Sequence, residues 1–199
     1  MNRRLPSRRL ASAIIVTWMI AGAVLLGTAR PTLPAAYAGG APPGFSGGFK
    51  ETSCDACHFE NEINAKPGEL TITGVPERFA AGERYALTIT LSRPGMRIGG
   101  FQLTARMAEG GAQAGTLAPA EGEEKRLAIE VRGNVQYANQ RQPGTAPVAP
   151  DTARWTLLWT APDTAAPVAF HVAANAADND ESVRGDYVYT ATARSAPPP

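Results

Sequence analysis

The sequence predicts an all-β fold, a β-sandwich, and three observations lead there. Seven segments between Glu69 and the C-terminal end alternate apolar with polar residues at the two-residue period of a half-buried strand. Turn chemistry separates them, as in Gly74-Val75-Pro76 and Arg93-Pro94-Gly95. No stretch between them carries the 3.6-residue period of an amphipathic helix. Many short strands without helices must bury their apolar faces against one another, and two packed sheets do that.

The N-terminal residues read as an export signal. Met1 to Leu10 carries Arg3, Arg4, Arg8 and Arg9, Ala11 to Gly27 is uncharged and apolar, and Ala36 and Ala38 form an A-x-A site, so residues 1–38 are expected to be a signal peptide cleaved after Ala38. The alternative is an uncleaved N-terminal anchor, because the apolar run is long for a signal core and at the lower limit for a span. Membrane contact is expected only through that segment. The leader holds five of the 19 basic residues and none of the 18 acidic ones, which leaves 14 against 18 and a mature charge near −4. Nothing resembles a basic stripe interleaved with aromatics, so nucleic acid is not an expected partner. A mature chain of about 160 residues fits one domain. With both cysteines in one motif, an apolar core rather than a long-range disulfide must hold it together.

Residues 39–50, rich in Gly and Pro, read as a flexible tether. Residues 51–68 then carry Cys54-Asp55-Ala56-Cys57-His58, the C-x-x-C-H spacing at which a c-type haem is attached. In this reading Cys54 and Cys57 hold one covalent haem c and His58 gives the proximal iron ligand. A structural zinc site is short of ligands, since His171 is the only other histidine and there are no further cysteines. A thioredoxin-like dithiol should join a strand to a helix, which this Gly/Pro-flanked motif does not. A local Cys54–Cys57 disulfide stays open. Candidates for the sixth iron ligand are His171, Met96 and Met107, with His171 preferred because a strand fixes it; a plain surface histidine is the alternative.

Residues 69–193 hold the strands: Glu69 to Thr73, Arg84 to Leu91, Gly100 to Met107, Arg126 to Val131, Trp155 to Thr160, Val168 to Asn175 and Tyr187 to Ala193. Trp155, Leu157 and Trp159 share one face, as do Val168, Phe170 and Val172, with His171 on the opposite face. Leu87, Ile89, Phe101, Leu103, Ile129 and Val188 are assigned to the same core by alternation. Residues 194–199 read as a disordered tail. The acidic run Asp178-Asn179-Asp180-Glu181 with Asp186 offers oxygen ligands for calcium, but a solvated hairpin turn explains it better because the spacing is not that of an EF-hand.

Gly99-Gly100-Phe101-Gln102-Leu103-Thr104-Ala105, Tyr137, Trp155 through Pro162, Val168 through Asn175, and Gly185-Asp186-Tyr187-Val188-Tyr189-Thr190 together resemble a reelin-type (Reeler) domain, and more narrowly the bacterial choice-of-anchor V group. The resemblance covers about Ser53 to Thr192. It implies an immunoglobulin-like β-sandwich preceded by a signal peptide and a short C-x-x-C-H segment, outside the cytoplasm, in the periplasm or secreted. It gives Asn175 and Asp186 as matching positions, read as turn-stabilising. No nucleophile-and-base arrangement is recognisable, so no enzyme is expected. The expected function is electron transfer or redox sensing by a haem protein with an unidentified redox partner protein. The alternative is a secreted or surface-associated binding or adhesion module with a local disulfide and no haem.

Overall fold

The computed structural model describes residues 37–197, so residues 1–36 of the expected signal peptide lie outside the described residues. Nine strands form two antiparallel sheets. They are β1 (Glu69–Thr73), β2 (Arg84–Ser92), β3 (Ile98–Met107), β4 (Thr116–Pro119), β5 (Leu127–Arg132), β6 (Val135–Gln140), β7 (Thr152–Thr160), β8 (Val168–Ala177) and β9 (Tyr187–Ser195). One sheet has the order β1-β2-β7-β4 and the other β5-β6-β3-β8-β9. All seven expected strands are present. The two further ones, β4 and β6, are short. β4 ends on a proline, and β6 contains Gln136, Asn139 and Gln140, so neither shows apolar alternation.

The core forms where the inner faces meet. Leu87, Ile89 and Leu91 of β2, Trp155, Leu157 and Trp159 of β7, Phe101 and Leu103 of β3, and Phe170 and Val172 of β8 are buried together. Trp159 meets Phe170 and Phe79 edge-on at 4.8 and 5.7 Å between ring centres, and its Nε1 donates to the carbonyl of Ala114 at 2.9 Å. Such contacts add to the area term that dominates sheet packing. Ile129 is only half-buried against this core. Val188 is buried outside it: it pairs with Asn175 and so faces outward, while its neighbour Tyr189 reaches the core.

The outer face of the five-stranded sheet is polar and nevertheless buried. Gln102, Thr104 and Arg106 of β3 and Asn139 of β6 stand on it at 1, 0, 7 and 0 % exposure. Residues 40–65 cover it. The stretch expected to be a flexible tether is therefore a docked strap. Gln102 Oε1 accepts from the backbone N–H of Gly44 and Phe45 at 2.8 and 2.5 Å, and its Nε2 donates to the Pro42 carbonyl at 2.9 Å and to Asn139 Oδ1 at 2.9 Å. The expected C-terminal tail is ordered as far as it is described. Arg194 and Ser195 complete β9, and Ala196 exchanges backbone hydrogen bonds with Glu77 and Phe79.

Candidate functional site

The strap crosses the outer face in two clasps. In the first, Glu51 accepts hydrogen bonds from Arg106 Nη2, from the Tyr137 hydroxyl and, at 2.7 Å, from Ser46 Oγ. Burial acts to raise the Glu51 carboxyl, but the bonds from Tyr137, Ser46 and Arg106 and the Arg106 charge outweigh it and hold the group below its ordinary value. Burial, followed by the Glu51 carboxylate, pushes Tyr137 up to about 12. Arg106 also lies over the Phe49 ring at 5.0 Å. Next to it, Gly48 passes so close above His171 that a Cβ there would stand 2.2 Å from the imidazole Cγ, which makes glycine obligatory.

The second clasp carries the C-x-x-C-H motif. Ser53 caps a single 3-10 turn, Cys54–Ala56, and the backbone N–H groups of Cys57 and His58 both donate to the Cys54 carbonyl, at 3.2 and 3.0 Å. That turn throws His58 toward β8 and β9, where its Nδ1 lies 2.6 Å from Asp186 Oδ2. Asn175 Nδ2 donates to the same oxygen at 3.0 Å. Beyond the motif, Asn61 Nδ2 donates to the Asp186 carbonyl at 2.8 Å. Asn64 then behaves as a one-residue strand, donating its N–H to the Val188 carbonyl and accepting from the Thr190 N–H through Oδ1, both at 2.9 Å. In this way the strap covers the free edge of β9.

The short contact to Asp186 assigns the role of each ring nitrogen of His58. A nitrogen and a carboxylate oxygen 2.6 Å apart share a proton, and with Nδ1 as the donor the lone pair of the neutral ring sits on Nε2. Asp186 is 2 % exposed, and its Oδ1, like Asn175 Oδ1, has no protein partner. A buried carboxylate left half-satisfied is costly, and such sites call for a functional account. Asp186 and Asn175 were legible in the sequence as matching positions, but their role differs from the one expected: they hold His58 rather than stabilise a turn.

Tested against a c-type haem, the donor set fits. Nδ1 is occupied and Nε2 is the remaining ligand nitrogen, which is how histidines that bind metals are held. Cys54 and Cys57 are free thiols on the same turn. Burial pushes the Cys54 thiol up to about 12, so in the folded protein it is held neutral. Attachment of a haem would add each thiol across one of its vinyl groups while the chain is still unfolded, so burial after folding would not oppose it.

The three candidate sixth ligands lie in other parts of the fold. His171 shares the outer face with Asn175 but lies four residues along β8 from it, about 13 Å at the rise of a strand. Its ring is covered by Gly48 and by Phe49, whose ring centre is 5.0 Å away, and its Nδ1 is 3.2 Å from the Thr192 hydroxyl. Burial, then the charges of Arg194 and Arg106, lower its pKa. Met96 is buried in the core and Met107 packs against it. The acidic run after β8 forms turns closed by its own side chains, with Asp178 Oδ1 accepting from Asp180 N–H and Asp180 Oδ1 from Ser182 N–H. Among the described residues no group of three or more His, Cys, Asp or Glu side chains is gathered to hold a metal ion.

Neither a protein-family model nor a curated protein matches the sequence. Among solved structures, the chain is similar to the reelin-N domain of F-spondin, with 18 % identity over 70 % of this chain and 92 % of that one and a TM-score of 0.44. It is similar to the human F-spondin reeler domain, with 19 % identity over 66 % and 92 % of the two chains and a TM-score of 0.43. A cohesin module from a Clostridium perfringens family 33 glycoside hydrolase matches at 8 % identity, over 65 % and 96 %, also with a TM-score of 0.43.

Proposed function

We propose that the protein is an extracytoplasmic binding module whose working element is the strap that carries Cys54, Cys57 and His58, and that the group it holds is a c-type haem. The observation behind this reading is the buried Asp186 carboxylate that fixes His58 through Nδ1 and leaves Nε2 as the ligand nitrogen. When bound, haem supplies an iron able to exchange one electron or take a small ligand. The chain itself attaches the group through two thiols, orients one imidazole and anchors both on a rigid sheet. The basic, then apolar leader with its A-x-A site supports export.

A second reading keeps the module and drops the haem. The hydrogen bond from Cys57 N–H to the Cys54 carbonyl closes a turn that brings the two Cα atoms within the span of a disulfide, so a local disulfide would tighten the strap without disturbing His58. The pyridine haemochrome spectrum of protein exported from cells with haem-maturation machinery separates the two. Absorbance of a thioether-linked haem supports the first reading. A colourless protein with no free thiols supports the second.

A further inference from the structure

A histidine ligand does not act alone: whatever accepts its Nδ1 proton sets how strongly Nε2 donates. A carbonyl or a water takes that proton weakly, whereas a carboxylate takes it strongly and pushes the ring toward imidazolate. At His58 the acceptor is a carboxylate with 2 % exposure, 2.6 Å away, and a low-dielectric surrounding strengthens the interaction. The sheet also tempers it, because Asn175 Nδ2, 3.3 Å from His58 Nδ1, donates to the same oxygen, Asp186 Oδ2, at 3.0 Å and competes with His58 for its electron density. The other His and Met side chains among the described residues lie elsewhere in the fold. His171 lies under Gly48 and Phe49, and Met96 and Met107 belong to the core. Beside the motif, Phe59 and Ile63 are left 65 and 43 % exposed.

From these observations, and resting on the haem reading above, we infer that the hydrogen bond to Asp186 strengthens His58 as the fifth ligand and that the sixth position is open, so that the site binds a small exogenous molecule at the iron rather than passing electrons through a six-coordinate centre. Asp186 and Asn175 are positioning residues of opposite sign. Asp186 strengthens the donor, and Asn175 holds that effect back.

The test uses the full exported chain matured with haem, whose covalent attachment is first established by mass. The wild-type ferric protein is expected to be high-spin, and the dithionite-reduced protein to bind carbon monoxide without displacing a protein ligand. Asp186→Asn keeps the shape and weakens the acceptor. It should lower the iron–imidazole stretching frequency in resonance Raman spectra of the reduced protein and raise the reduction potential. Asn175→Ala should move both quantities the other way. A low-spin, six-coordinate wild type overturns the inference while leaving the haem reading intact, and so do two variants that shift in the same direction or not at all. If Asp186→Asn does not fold, Asn175→Ala decides by its sign alone. A protein without covalent haem overturns both readings, and the mass measurement shows this separately.

Discussion

Gln102→Ala removes the side chain on which the first part of the strap hangs. Gln102 Oε1 receives the N–H groups of Gly44 and Phe45, and Nε2 reaches the carbonyls of Pro42 and, at 3.3 Å, Ala41. Without it, one buried amide and one half-buried amide lose their acceptor, at about 1–3 kcal/mol each if they stay shielded from water. Peeling that stretch into water caps the loss, so local opening should become easier by about 2–4 kcal/mol. Because each 1.4 kcal/mol is a factor of ten, the Gly44 and Phe45 amides should exchange with deuterium roughly 30- to 700-fold faster than in the wild type. The amides of β2 and β7, in the other sheet, should keep their protection. Site-resolved hydrogen exchange measures both. Wild-type amides at 44 and 45 that exchange as fast as an unfolded peptide, or a variant that leaves them unchanged, would show that the segment is a tether after all.

Three further outcomes follow from the same geometry. Trp155→Ala or Trp159→Ala, each emptying a fully buried site, should cost roughly 3–5 kcal/mol in denaturant melts, and an unchanged midpoint would mean that the strand faces are misassigned. Glu51 is held below its ordinary value of 4.5, so its contribution to stability is complete above that value and is lost as pH falls through the lower folded one; Glu51→Gln should flatten the decline in stability below about pH 4.5, as melts across pH 3–7 would show. In protein made without haem, the surroundings of the half-buried Cys54 push its thiol up to about 12, so iodoacetamide at pH 8 should label it far more slowly than in the unfolded chain, and equal rates on peptide mapping would contradict that burial.

The strands were legible because sheet packing writes itself as alternation: Trp155-Leu157-Trp159 and Val168-Phe170-Val172 each name their inner face. The strap was not legible, for a physical reason. The face that it covers is built of Gln102, Thr104, Arg106 and Asn139, which by pattern read as solvated, so nothing in β3 or β6 says that a second layer lies above them. Val188 reads as core by alternation for the complementary reason, since its burial comes from the strap side. Gly and Pro between residues 39 and 50 signal freedom in an isolated chain, yet Gly48 is there because the ring of His171 leaves no room for a side chain. At the site, Cys54, Cys57 and His58 stood out by spacing alone. The pairing of His58 with Asp186 spans 128 positions of sequence and obeys no local pattern, so only the fold could bring the two together.

Intact mass of the acid-denatured wild-type protein, exported in the presence of haem-maturation machinery, bears on the central claim most directly. The account predicts a chain heavier by one haem that survives denaturation, with the added mass lost on double substitution of Cys54 and Cys57 by alanine. A wild-type mass equal to the bare processed chain, with or without the two-hydrogen loss of a disulfide, would contradict it.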